Sequence, residues 1–403
     1  MRKTCLTALW IIADLVISLT RLHAQDTTNY SLRRLSFEEA NLVSSYYVQD
    51  GDHSAVTGGI GSEKLTDIAN IFDVRFYKYS RDSIRHTFDL EAGIDHYTSA
   101  SSDQVDLSAN SSASHSDTRI YPSLSWTSAN ERKGRTFGAG LSYSTEFDYV
   151  SLGGNLNMAL QSKDRNSELS VRIQAFFDQV LLVYPIELRT SQPSGNPNHE
   201  HYRYDSSNRD SYSLSLTFSQ VINSNLQVML LSDIVRQTGY LGLPFHRVYF
   251  KDGTVHVEQL PETRLKIPLG IRASFFPFDR LIVRAFYRYY SDDWKITSHT
   301  ASLELPVKIN AFFSIAPFYR YYRQQGTSYF APYGAHNGDE EFFTSNYDLS
   351  SFASHFPGIG LRITPLHGVL GIRHCQLLEI RYGYYSRNNG LKSSIVSLNL
   401  KFI

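Results

Sequence analysis

Along most of this chain apolar and polar residues alternate with a period of two. In the last stretch Val396, Leu398, Leu400 and Phe402 fall on one face and Ser397, Asn399 and Lys401 on the other, because successive side chains of a strand point to opposite faces. One face suits lipid and the other water, and a terminal aromatic is how membrane-spanning barrels close. The alternation recurs over 41–50, 66–79, 84–98, 117–128, 135–149, 150–163, 167–183, 209–222, 224–238, 263–277, 279–293, 295–309, 310–324, 353–364, 375–388 and 391–403. The pattern predicts an all-β chain, a transmembrane antiparallel up-and-down β-barrel of about sixteen strands. Fourteen and eighteen are the alternatives, since single-chain bacterial barrels take even numbers.

Strand parity sorts the connections. The tight turns at 80–83, 163–166, 222–225 and 277–280 fall on one side, and the long polar segments 99–116, 184–208, 239–262 and 325–351 on the other. The first set reads as periplasmic turns and the second as outer loops. Gly51 to Leu65, with its run Thr57-Gly58-Gly59-Ile60-Gly61, fits either a bent strand, an outer hairpin or backbone packed into the lumen. No helical heptad and no long linker interrupts the pattern, so residues 25–403 are expected to form one domain.

Residues 1–24 read as a cleaved signal peptide: Arg2 and Lys3, an apolar run from Leu6 to Leu19, and Ala24 before Gln25. The run is shorter than the ~20 residues of a spanning helix. Cys375 would then stand alone in an oxidising compartment, with no internal disulfide. Net charge is zero without a basic block, which leaves nucleic acid no electrostatic footprint. The 27 Tyr and 24 Phe against 3 Trp suit a barrel, which spends aromatics on its interface girdles and its lipid face.

An Arg or Lys facing mid-membrane lipid costs about 2 to 4 kcal/mol, so the face of Arg284 and Arg288 is assigned to the lumen and orients the other strands. Inward acids are then Asp73, Asp89, Glu91, Asp95, Glu146, Asp148, Asp178, Asp233, Asp292, Glu304 and Glu379. Inward bases are Arg75, Arg119, Arg172, Arg272, Arg284, Arg288, Lys308, Arg320, Arg362, Arg381 and Arg387. Acids gather in the N-terminal half and bases in the C-terminal half, which predicts an acidic wall facing a basic wall. Across an open lumen such walls select and orient small polar solutes. In a narrow lumen they pair into a structural network with the tyrosines.

Chemistry-bearing motifs are sparse: no Gly-x-Ser-x-Gly, no His-Glu-x-x-His and no Walker loop. His199-Glu200-His201 in an outer loop has the spacing to offer two imidazoles to a metal, though a solvated loop explains it as well. In Asp50-Gly51-Asp52-His53-Ser54 an imidazole sits beside carboxylates and a hydroxyl, which suits acid-base work or a hydrogen-bonded turn. No cofactor is expected.

The stretches Tyr47 to Gly61, Pro244-Phe245-His246-Arg247-Val248-Tyr249-Phe250, Tyr287 to Trp294, Pro317 to Tyr322, Tyr329-Phe330-Ala331-Pro332-Tyr333 and Tyr347-Asp348-Leu349-Ser350 resemble the family called domain of unknown function 3570. The chain departs in its serine-rich segment near 99–116 and at Asn346, where the family pattern has an acid. The resemblance implies an outer-membrane barrel of Gram-negative bacteria, the Bacteroidota foremost, with no established activity. It also implies neighbours in a periplasmic redox system, among them a thioredoxin-like protein and a small lipoprotein. The expected role is to pass or receive a small polar solute, or to scaffold such a redox partner, with outer-membrane lipid and lipopolysaccharide as surroundings. The alternative is a barrel-embedded envelope enzyme with its site at Asp50 to Ser54.

Overall fold

The computed structural model describes residues 34–98, 116–189 and 204–403. The expected signal over 1–24, and His199 and His201, lie outside these residues. In chain order the strands are β1 (Ser36–Asp50), β2 (Leu65–Tyr79), β3 (Arg85–Thr98), β4 (Ser116–Asn130), β5 (Arg135–Thr145), β6 (Tyr149–Gln161), β7 (Ser167–Leu181), β8 (Ser206–Asn223) and β9 (Leu226–Gly239). A short hairpin, β10 (Arg247–Tyr249) and β11 (Val255–Val257), follows. Then come β12 (Thr263–Phe278), β13 (Leu281–Asp292), β14 (Thr297–Glu304), β15 (Val307–Lys308), β16 (Phe313–Gln325), β17 (Phe352–Ile363), β18 (Cys375–Arg387) and β19 (Lys392–Phe402).

Apart from the β10–β11 hairpin, each strand pairs antiparallel with its neighbour in the sheet, and β19 returns to β1 with Tyr46 opposite Val396 and Ala40 opposite Phe402. The sheet is thus a closed barrel without edges. Segments β14 and β15 are one strand broken at Leu305-Pro306, where proline has no N–H for the ladder. Counting them once gives sixteen strands, as the alternation predicts.

The outward face is apolar and bare of protein: Leu141 is 66% exposed, Ile173 58% and Leu152 56%. A soluble monomer rarely shows a continuous apolar surface of that extent; here it girdles the barrel and forms a transmembrane surface. Inside, aromatic rings lie over glycines directly opposite them: Tyr121 over Gly93, Phe176 over Gly153 and Phe318 over Gly358. Only a missing Cβ leaves that room; one added at Gly93 would come within 2.0 Å of the Tyr121 ring.

Two boundaries differ from the pattern by more than three residues. β1 begins at Ser36 rather than near residue 41. More consequentially, β5 ends at Thr145, so Glu146-Phe147-Asp148 is a tight connection and not strand. The alternation runs through it because the turn uses neither glycine nor proline: the Glu146 N–H donates to Tyr149 O (2.9 Å), and Asp117 Oδ2 accepts from Phe147 N (3.2 Å). Glu146 and Asp148 therefore sit at the rim. The loops 51–64, 240–262 and 326–351 all emerge at that end, opposite the turns at 80–83, 163–166, 222–225 and 277–280.

Candidate functional site: the lumen walls and the capped mouth

The ladder carries the charged side chains onto one inward face. Arg272 stands opposite Phe286, Arg284 opposite Glu304, Arg320 opposite Phe356 and Arg362 opposite Glu379. Lys308, Arg288, Arg381 and Arg387 share that face through Ser314, Thr300, Ser397 and Ser354. Across the barrel Asp73 faces Glu91, Asp89 faces Arg75, and Asp95 faces Arg119. In the ring of sixteen, β3 with Asp89, Glu91 and Asp95 lies eight strands from β13 by either route. The acids of β3 and the arginines of β13 are thus diametrically opposed. Asp178, on β7, stands opposite Arg209 and takes the Tyr149 hydroxyl.

The two walls are braced differently. On the acidic side Arg75 bridges Glu39 (2.9 Å) and Asp89 (2.5 Å), Lys401 also pairs with Glu39, and the Tyr121 hydroxyl donates to Asp95 (2.8 Å). On the basic side Glu304 joins Arg284 (3.2 Å) to Arg381 (2.9 Å), the latter reaching past β16 and β17. Arg381 also meets Glu379 at 3.2 Å. A recess of about 330 Å³ near the turn end is lined by Arg284, Lys308, Arg362 and Arg381 against Glu304 and Glu379, so bases exceed acids. Arg272, Arg288, Arg320 and Arg362 are exposed although they point inward. The inward space at their level therefore admits water. Ring contacts hold some guanidinium groups along the wall: Arg320 is 4.8 Å from the Phe356 centroid and Arg272 5.6 Å from Phe286.

At the loop end, carboxylate oxygens of Asp117, Glu146 and Asp148 lie within 4.8 Å of one another. The Tyr97 hydroxyl donates to Glu146. Burial is the main force raising the Glu146 carboxyl above its ordinary range; the Asp117 charge adds to it and the Tyr97 bond opposes it.

Loops from well-separated strands interlock across the mouth. The Arg247 side chain, 8% exposed, grips Glu187 of the β7–β8 loop with two bonds (2.5 and 3.2 Å). It also donates to the Val56 carbonyl of the β1–β2 loop at 2.8 Å. Val248, Phe250 and Phe343 form a small apolar core between the β10–β11 hairpin and the β16–β17 loop. Beside it lies buried Glu258, which accepts from Thr344 Oγ1 (2.5 Å) and Leu243 N (2.9 Å). His246 Nδ1 approaches Glu258 Oε2 to 3.4 Å without hydrogen-bond geometry. Burial works to raise the Glu258 carboxyl, but His246 and these donors outweigh it and hold it low. His336, fully buried, places Nδ1 2.5 Å from Glu340 and Nε2 3.0 Å from Thr344 O.

The underside of this cap is tied to inward residues of the rim. Arg387 meets Asp348 at 2.5 Å, Gln324 donates to the carbonyls of Asp348 (2.9 Å) and Ser350 (2.7 Å), and Gln49 donates to Glu63 O (3.1 Å). His53 belongs to the same assembly: its ring stacks on Tyr347 (3.8 Å, 9°) and its Nδ1 lies 3.1 Å from Gly59 O. Ser54 is buried, and its carbonyl accepts from Thr57 and Gly59. Asp50 ends β1 opposite Lys392, and exposed Asp52 follows Gly51, whose carbonyl accepts from Glu63 N (2.8 Å). His53 thus packs on Tyr347 and bonds within its own turn. Burial, then the Asp348 carboxylate, push the Glu63 carboxyl up, with Arg387 opposing.

Sequence reasoning singled out the lumen charges and passed over Arg247, Glu187, Glu258, His336 and Thr344. Period-two patterning has nothing to say about loop-to-loop contacts. A signal was present, since the motifs 244–250, 329–333 and 347–350 that carry the family resemblance are cap segments.

Comparison with known proteins gives distant likenesses in shape. The siderophore receptor PirA from Acinetobacter baumannii overlaps 88% of this chain at TM-score 0.46 and 10% identity, and the chain spans only 53% of that receptor. OccK2 (OpdF) of Pseudomonas aeruginosa overlaps 90% of this chain and 97% of its own at TM-score 0.41 and 10% identity. A bacterial polysaccharide outer membrane secretin gives 0.45 at 10% identity, covering 90% of this chain and 97% of its own. The barrel assignment rests on strand register and not on these overlaps. No curated protein matches significantly. The profile of the proteins of unknown function DUF3570 matches residues 82–395, most of the chain, and the protein belongs to that family.

Proposed function

We propose that the protein is an outer-membrane channel that passes or receives small polar solutes through a charge-polarised lumen beneath a closable cap. The apolar girdle calls for lipid, and closed barrels of even strand number are the spanning form of bacterial outer membranes. Sixteen strands enclose enough space for an aqueous path. The reading is carried by the inward arginines: Arg272, Arg288, Arg320 and Arg362 remain exposed to water on the wall opposite the acids. In a collapsed network those side chains would be buried and paired. The field between the walls orients a solute that carries charge, and the excess of bases in the turn-end recess favours an anionic group.

The test is single-channel conductance of the refolded barrel in a planar bilayer, with and without Arg284→Ala and Arg288→Ala. Loss of Arg284 leaves Glu304 paired with Arg381, so selectivity changes without orphaning a carboxylate. The expected result is a shift toward cations. Absence of conductance from a folded barrel, even after the cap is loosened, overturns the channel reading. The Asp50 to Ser54 cluster offers no competing chemistry of comparable support, since His53 is committed to Tyr347 and Gly59.

A further inference from the structure

The outward face of β12–β17 departs from the apolar girdle near the loop end. His299 is the third residue from that end of β14, Arg323 the third from the end of β16, and His355 the fourth of β17. At about 3.3 Å per residue they lie within roughly 10 Å of the rim. Tyr289, His299 and Arg323 stand side by side in register, and Tyr321 is opposite His355. Tyrosine hydroxyls hold both imidazoles: Tyr287 to His299 Nδ1 at 2.7 Å and Tyr319 to His355 Nδ1 at 2.6 Å. No carboxylate occupies the outward positions of β14, β16 or β17, and Arg323 makes no ion pair among the described residues. An exposed guanidinium and two exposed imidazoles thus face the membrane interface with nothing anionic opposite them.

Two adjoining hollows give this patch a shape. The first, about 650 Å³, is lined by Thr297, His299, Tyr321, Arg323, Gln325 and Asn388. The second, about 380 Å³, shares Tyr321 and runs deeper over an apolar floor of Ala273, Ala285, Ala301 and Leu303. Small residues on three neighbouring strands make this groove, where larger ones would fill it. A polar, basic head pocket at the interface leading into an apolar slot is the outline of a lipid with an anionic head.

We propose that this surface seats one phosphorylated glycolipid of the outer leaflet, its phosphate on Arg323 and His299, its sugar hydroxyls against Gln325, Asn388 and Thr297, and an acyl chain in the alanine-floored groove. The proposal rests on the outer-membrane placement above but not on conduction. Charge-assisted contacts at an interface are strong, and Arg matches phosphate geometry.

The experiment is native mass spectrometry of the refolded protein in detergent with added lipid A, in its diphosphorylated and dephosphorylated forms, and with phosphatidylglycerol. Wild type is expected to retain one diphosphorylated lipid A. Arg323→Gln is expected to weaken retention about tenfold, the effect of losing one charge-assisted contact, and adding His299→Gln is expected to weaken it further. Ala273→Trp, which fills the groove from β12, two strands away from His299, should weaken it as well. Heat-modifiable gel migration verifies that each variant is folded, and Lys78→Gln, at the turn end of β2, should bind as wild type. Equal retention of the dephosphorylated form, equal retention of phosphatidylglycerol, or retention unchanged in both pocket and groove variants overturns the proposal. Conductance measured on the same samples separates its failure from failure of the channel reading.

Discussion

Arg247→Ala tests whether the cap is one cooperative unit. The substitution removes two bonds to Glu187 and one to the Val56 carbonyl. Glu187 is half exposed, so its pair is worth about 1 kcal/mol. The bond to the carbonyl from a nearly buried guanidinium contributes about 1 to 2 kcal/mol. A loss of roughly 2 to 3 kcal/mol corresponds to a cap that opens roughly 30- to 150-fold more often. Hydrogen exchange reads this directly, because the amides of Phe250, Glu258 and Gln259 are bonded to Thr254, His246 and Phe343 within the cap. Exchange across 246–259 should accelerate by that factor while β16 and β17 stay protected. Channel recordings of the same variant should show more frequent openings. Unchanged protection over 246–259, or acceleration spreading equally into the barrel strands, would refute the assignment of the cap as a separable element held by Arg247.

Asp348→Ala should act more weakly, under about 1 kcal/mol, because Asp348 is 64% exposed in its pair with Arg387; the same exchange experiment compares the two variants. Acid should loosen the cap. The bond from Arg247 holds the Glu187 carboxyl below the usual carboxylate range, so its stabilisation is present above the ordinary carboxylate pKa and is lost as pH falls through the lowered one. Opening frequency should therefore rise in acid, and Glu187→Gln should remove that part of the pH dependence. Gly93→Ala should destabilise the barrel by about 1 to 3 kcal/mol, as overpacking does, because the new Cβ meets the Tyr121 ring. Urea unfolding of the refolded protein measures it, and a neutral result would mean that the ring moves without loss.

The sequence alone determined the barrel. Period-two alternation is a local property of extended backbone, and a charge is so costly in lipid that Arg284 and Arg288 orient every strand around them. That reasoning carried the strand number and the sides on which loops and turns emerge. It misplaced Glu146 and Asp148 because a three-residue turn made without glycine or proline leaves the alternation intact. The third and eleventh of sixteen consecutive strands already stand half a ring apart in the sequence; the tertiary structure added the closure of β1 on β19 that makes the ring. Only it brought Arg247, Glu187 and Val56 together, from parts of the chain up to 191 residues apart. Contacts between loops depend on where the strand ends stand in space, and a pattern of period two is blind to that. The outward basic pocket is of the same kind: Tyr289, His299, Arg323 and His355 are ordinary strand residues until register lines them up on one face.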